Sequence, residues 1–326
     1  MTASIKDGLR SAARHPGLAL LIWSWYGLLS LIPTLPAWTW WNAVLGYSPE
    51  AASVLKRFGL GVFLDLTRGG SVSGLSLLAS ATAAVAGVSL VSSAFVFGGV
   101  LEVLGSEDDR RSFMHRFFRG GGHFFWRYFR LAIIAGVCLV LAAGAVSALM
   151  GVATKPLSES EWEPAGYLGG LASVAVFLMV AALFLLGLDY ARIRVSRDDS
   201  RSMLKAYASG LGFVVRRVAP AYGIAIAILI CEVALVLIYL TYETKAPAAG
   251  NWAAIVFLIL FQQFVVLGRV FLRVALIGAE RHFYVTVLPE PVPVMAGAGD
   301  TTPVPSASSL SDAEPPAAPT DEGSPT

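Results

Sequence analysis

The chain has 326 residues, 56% of them hydrophobic and only 14% charged, with a formal net charge of +2 and a mean hydropathy of +0.67. Ordinary soluble domains carry roughly a quarter charged residues, so this chain has too few to cover a water-facing surface. The direct reading is an all-α, polytopic membrane protein, whose basic charge follows the membrane and not a nucleic acid.

Lys6, Arg10 and Arg14 precede the first apolar run, 17–38. At about 22 residues it exceeds the 7–15 of a secretory signal core, so it is expected to stay as an anchor. Five more runs follow, 75–103, 131–152, 167–190, 219–242 and 252–279, each long enough for a hydrocarbon layer of about 30 Å. None alternates as the strands of a membrane barrel do. Between the first two, Ser48-Pro49-Glu50 is a helix-start signal followed by apolar Val54, Leu55 and Phe58, which predicts a surface helix. The second run is rich in small residues, among them Ala83, Ala84, Gly87, Gly98 and Gly99. Small side chains let helices approach closely in lipid, so this span is expected at the centre of the bundle.

Lys and Arg settle the expected topology. Of 24, all but Lys56, Arg57, Arg68, Lys155 and Lys245 fall on the N-terminal arm, the second and fourth loops, and the end of the last span. The positive-inside bias therefore predicts both termini in the cytoplasm. Trp38, Trp40, Trp41, Trp162, Trp252, Tyr167 and Tyr242 gather at the opposite span ends as an expected aromatic belt.

A shift of 90 residues lays one basic loop over the other. Asp108-Asp109-Arg110-Arg111-Ser112 covers Asp198-Asp199-Ser200-Arg201-Ser202, and Gly120, Gly122 and Arg127 cover Gly210, Gly212 and Arg217. Phe113, Met114 and Phe117 match Met203, Leu204 and Tyr207 as an apolar helical stripe. Each loop thus predicts a short amphipathic interfacial helix, 110–119 and 200–209. The aspartates would cap it, and the glycines would turn the chain into the bilayer. Arg116, Arg119 and Lys205, off the stripe, and Arg194 and Arg197 are expected at anionic lipid headgroups. A truncated third copy opens the chain, with Gly8 and Pro16 spaced as Gly212 and Pro220 are. The economical architecture is three helical hairpins in the same orientation.

Ionisable groups at membrane depth are costly and pair or face a cavity. Asp189 and Arg192 share a helical face at the end of the fourth span, and Arg269 and Arg273 share one on the sixth. A charge clamp is expected, Asp189 pairing with Arg192, Arg269 or both; a site for an anionic headgroup or solute is the alternative. Glu232 stands about thirteen residues into the fifth span, near the midplane at ~1.5 Å per residue. Gln262 and Gln263 reach a similar depth on the sixth. An interhelical hydrogen bond from Glu232 to one glutamine is expected, and a proton-coupled carboxylate is the alternative. Glu102 is expected to pair with Arg130 or Arg127. Cys138 and Cys231 lie in apolar runs and read as buried apolar residues. The four histidines lack metal-ligand spacing, and no nucleotide loop, GxSxG or HExxH occurs. No metal, cofactor or catalytic residue is therefore expected. After Arg281 there is no Lys or Arg, and nine of the 17 prolines occur there. Residues 290–326 read as a disordered, acidic, Pro-rich tail that could meet a protein partner.

The stretches "FVFGGVLEVL", "DDRRSFMHRFFRGGGHFFWRYFRL" and "LDYARIR" give residues 1–285 a layout that resembles a loose group of bacterial six-span inner-membrane proteins. Some of these are similar to the membrane domain of certain glycerophosphodiester phosphodiesterases. The resemblance implies a membrane domain and no phosphodiesterase activity, since no catalytic domain accompanies it. The expected role is a non-enzymatic scaffold or lipid-interacting accessory holding anionic lipid or a partner. A small-solute transporter using Glu232, Gln262, Gln263 and Arg269 comes second, and a lipid-modifying enzyme third.

Overall fold

Inside lipid every backbone N–H and C=O needs an internal partner, so long apolar runs must be helical. The computed structural model describes residues 1–45, 72–105, 112–158, 163–198, 202–245 and 252–288. Among the described residues there are eight helices and no strand: α1 (Thr2–Arg14), α2 (Pro16–Leu45), α3 (Val72–Gly105), α4 (Phe113–Ser158), α5 (Glu163–Asp198), α6 (Met203–Arg216), α7 (Val218–Lys245) and α8 (Trp252–Val287). Six of them, all but α1 and α6, are long and apolar enough to cross a membrane. The expected surface helix after Ser48, the aspartates Asp108, Asp109 and Asp199, and the tail 290–326 lie outside the described residues.

Sequential spans pack in pairs, α2 on α3, α4 on α5 and α7 on α8. The core sits at one end of the bundle, where the Arg-rich segments lie. Val100, Val103, Tyr128, Leu131, Tyr190, Ile193 and Ala279 are all closed off there. Toward the aromatic end the helices expose Leu149, Val152, Leu168, Leu240 and Trp252, apolar surface of the kind lipid tails cover. The expected central place of the second span holds for one half of it. Ala94, Phe97 and Val100 of α3 are buried, while Ala83, Ala84 and Gly87 are exposed, and nothing lies near Gly87. In the aromatic belt Trp38, Tyr167, Tyr242 and Trp252 are exposed, but Trp40 is buried.

The helices at the basic end overturn the expected role of the glycines. Gly120, Gly121 and Gly122 are inside α4, which runs unbroken from the interfacial segment into the span. Gly210 and Gly212 are inside α6, and the chain turns only at Arg217 (φ −135°, ψ 45°). What the glycines provide is close approach. A Cβ on Gly120 would lie 2.8 Å from the Gly98 carbonyl oxygen of α3, and one on Gly210 2.7 Å from the Ala191 nitrogen of α5. Gly8 of α1 makes the same contact with α8, where a Cβ would meet the Ala279 nitrogen at 2.7 Å. Around Gly122 and Gly212 a Cβ would meet nothing within 4 Å.

The acceptor sites are alike too: Gly98 and Glu102 on α3, Gly187 and Ala191 on α5, Ala275 and Ala279 on α8, each four residues apart. Each two-span pair therefore has a leading helix that docks on the second span of the pair before it. The first leading helix, α1, docks on the last span, so the contacts run in a closed cycle. In its contacts Gly8 matches Gly210, two residues from Gly212, the match expected through Pro16 and Pro220. The turns agree with this register, His15 (φ −124°, ψ 58°) following Gly8 by seven residues as Arg217 follows Gly210.

The buried stripe of α6 is Met203, Ala206, Tyr207, Gly210, Phe213 and Val214, a face of successive i, i+3 and i+4 steps that meets protein. Leu204 and Met114, expected on that stripe, are exposed. Tyr207 donates to the Phe184 carbonyl of α5 at 3.4 Å. Burial, with a smaller contribution from Cys138, pushes its hydroxyl up to about 12, so it remains a donor at neutral pH. A serine immediately precedes each of α4 and α6, with no side-chain cap bond at Ser202, and Asp198, the one described aspartate of the pairs, caps neither. Ser112 Oγ accepts from the His115 N–H at 3.4 Å, Ser202 precedes α6, and Asp198 closes α5.

Candidate functional site

Burial of charge in an apolar bundle demands partners, and the basic end contains such a cluster. Asp189 Oδ1 accepts from Arg192 Nη1 at 3.2 Å, and Asp189 Oδ2 accepts from Arg273 Nη2 at 3.3 Å. Asp189 and Arg192 sit three residues apart on α5, one helical turn, with side chains 7% exposed. Arg273 comes from α8 and is 53% exposed at its side chain. The clamp between spans four and six thus forms through Arg273. Arg269 is exposed and makes no ion pair with Asp189. Four residues earlier on α8, it stands about 6 Å farther from the basic end.

Three further helices close the cluster. The Arg192 guanidinium lies 4.7 Å from the ring centroid of Phe97 on α3, a favourable place for a desolvated cation. Tyr128 of α4 donates its hydroxyl to the Arg192 carbonyl at 3.0 Å. Tyr26 of α2 is within electrostatic reach of Arg273 and Arg192. Tyr128→Phe is expected to cost about 1 kcal/mol, the net worth of one buried hydrogen bond. Thermal unfolding in micelles checks this, and an unchanged midpoint would show the contact to be idle.

Sequence reasoning missed Glu280, which is wholly buried and lies among the charges acting on Arg273. Its signal was available: Glu280 follows Arg273 by seven residues, two turns on one face. Neither carboxylate oxygen of Glu280 has a hydrogen-bond partner among the described residues, nor has the Tyr190 hydroxyl or Arg192 Nε. The docking register explains where these groups meet. Val103, Arg192 and Glu280 each follow the second acceptor residue of their span, and all three are buried. Val100, Asp189 and Ile277 are another such set. Charge thus occupies positions that the α3 span fills with valine.

Glu232 and the glutamines do not come together. Leu235 packs over Gly268, and Tyr239 and Tyr242 meet Phe261. Glu232 is on that α8-facing side of α7, half-buried, whereas Gln262 and Gln263 fall off the stripe marked by Phe257 and Phe261 and are exposed. No hydrogen bond joins Glu232 to either. Arg273 is within its electrostatic reach instead.

The expected headgroup contacts divide. Arg119 and Lys205 are exposed. Arg116 is buried, because it precedes Gly120 by one turn and shares its docked face. Arg194 pairs with Asp198 at 3.1 Å, and Arg197 donates to the Leu288 carbonyl, so both have protein partners. Arg130 stacks over Trp126 at 5.1 Å, and Glu102 lines a small pocket with Arg119 and His123. Cys138 is half-buried but Cys231 is exposed on α7, against its expected burial.

Two other features border the leading helices. An apolar groove of about 500 Å³ runs between α2, α3 and α4, walled by Leu21, Trp25, Phe95, Val96, Phe117 and Phe125, with Ser24 and Ser92 its polar lining residues. At the α1–α8 contact, His282 Nε2 is 3.2 Å from Asp7 Oδ2 and its Nδ1 is 3.4 Å from Ser4 Oγ. These are the residue types of a hydrolytic triad, but Ser4 is buried in the docked face and does not border the adjoining pocket. Its hydroxyl is a packing contact. Among the described residues no group of three or more His, Cys, Asp or Glu is placed to hold a metal ion. The chain matches no family model, no curated protein and no solved structure.

Proposed function

We propose that this multi-pass protein resides in the bacterial inner membrane with both termini cytoplasmic, and acts as a non-enzymatic, lipid-holding component built of three related two-span units. The Lys/Arg distribution supports the orientation, and the threefold recurrence of the glycine contact supports the related units. The observation that carries the function is the apolar groove between α2, α3 and α4. Its occupant is a phospholipid acyl chain. A groove that opens among lipid-facing helices with almost no polar lining offers a hydrocarbon chain shape and dispersion contact. The hydrophobic effect adds nothing there, since the chain is already in lipid. Retention therefore depends on fit and on charge at the headgroup.

Filling the groove tests this reading. Ser92→Trp places an indole between α3 and its neighbours while leaving the charge cluster untouched. Native mass spectrometry of wild type is expected to retain phospholipid that the variant loses. Equal lipid retention by both proteins would remove the reading.

One observation favours transport as a second reading. Arg273, paired with buried Asp189, is still more than half exposed, and Glu232 on the neighbouring span is within electrostatic reach of it. An anion or proton carried through the bundle would use that pair, and Glu232→Gln would then abolish coupled uptake in liposomes.

A further inference from the structure

A polar cavity of about 340 Å³ lies where α1 crosses α8 beside the end of α3, lined in part by Asp7, Arg10, Arg14, Leu104, Arg281 and His282. It belongs neither to the apolar groove nor to the buried charge cluster. We propose that it is a binding site for a phosphate group, carried either by an anionic lipid or by a soluble phosphorylated molecule.

Three guanidinium groups from two helices border this one space. Arg281 is fixed there, donating to the Leu104 carbonyl at 2.7 Å. A Cβ on Gly105 would come within 3.2 Å of Arg281 Nη2, so glycine leaves room for the guanidinium over the end of α3. Arg10 and Arg14 are one turn apart on α1, and like charges at that spacing repel. Arg10 is exposed, with no hydrogen bond or ion pair among the described residues. Asp7, the single carboxylate named in the lining, is engaged by His282 at 3.2 Å. Among the described lining residues cations therefore outnumber carboxylates, and guanidinium donors have the fork geometry to which a phosphate presents several oxygens at once.

The test uses full-length protein, Arg10→Gln, Arg10→Glu and Lys205→Gln, the last removing an exposed cation from α6. In micelles, thermal unfolding is followed with increasing inorganic phosphate. In nanodiscs mixing phosphatidylglycerol with phosphatidylcholine, retained lipid is read by native mass spectrometry. Loss of one guanidinium is expected to weaken binding roughly tenfold, Arg10→Glu more, and Lys205→Gln not at all. Phosphate-induced stabilisation dependent on Arg10 supports a soluble ligand. Phosphatidylglycerol retention dependent on Arg10, without a response to inorganic phosphate, supports a lipid headgroup. No response in either arm, or responses unchanged in Arg10→Glu, would overturn the site. Ser92→Trp does not line this cavity, so losing the groove reading leaves this result standing.

Discussion

Gly210→Ala is expected to destabilise the protein by about 2–3 kcal/mol, near the upper end of overpacking costs, whereas Gly212→Ala should stabilise it by up to about 1 kcal/mol. The substitutions are chemically identical and lie two residues apart in α6. At Gly210 the added carbon would lie 2.5 Å from the Gly187 carbonyl oxygen and 2.7 Å from the Ala191 nitrogen. Both are backbone atoms, so no rotamer change relieves the collision, and α6 must lift off α5. At Gly212 the added carbon meets nothing within 4 Å, which leaves the gain in helix propensity unopposed. Gly120 and Gly122 in α4 should repeat the contrast, because Gly98 O stands 2.8 Å from a Cβ at the first and nothing stands near the second. Unfolding midpoints in micelles provide the comparison. A Gly210→Ala protein as stable as wild type would show that the helices are not docked as described.

Asp189→Ala should be severe, about 3–5 kcal/mol, the cost of removing one partner from a buried ion pair. Asp189 is the shared acceptor for Arg192 at 3.2 Å and Arg273 at 3.3 Å. Without it, Arg192 is left 7% exposed at its side chain with no carboxylate in hydrogen-bond contact. Arg273 can turn toward its open side and loses less. Glu280→Gln makes the informative contrast, expected to change stability by less than about 1 kcal/mol. Neither carboxylate oxygen of Glu280 accepts a hydrogen bond among the described residues, so the amide of equal shape forfeits no contact of that kind. Denaturant titration of both variants decides the matter. Equal losses would mean that the cluster acts as one undivided network.

What the sequence disclosed was what depends on composition and charge. Six apolar runs of sufficient length, separated by Arg-rich and Arg-poor connectors, made the helical bundle legible, and Asp189 with Arg192 was legible as an i, i+3 pair. The partner on α8 was not, because choosing between Arg269 and Arg273 requires the relative height of two spans. Glu280 was hidden in another way: a lone acid before Arg281 and His282 looks like the end of a span, and only packing reveals that it points inward. The glycines were misread because the same residue serves a turn or a close approach. In α4 and α6 the helix continues through them, and it is the absent Cβ that matters. Arg116 followed from the same error, since the buried face is defined by Gly120 one turn away.

The contact of Gly8 with Ala279 unites the first and the last of the described helices. At about 5–20 residues per second, a ribosome leaves the amino-terminal segment without its mate for on the order of tens of seconds. Through that interval its strip of Ser4, Gly8 and Ala12 has nothing to rest on, and this contact cannot form before α8 is made. Closure of the cycle is thereby coupled to the making of α8, and a product that stops short of it carries an uncovered surface that quality control can recognise.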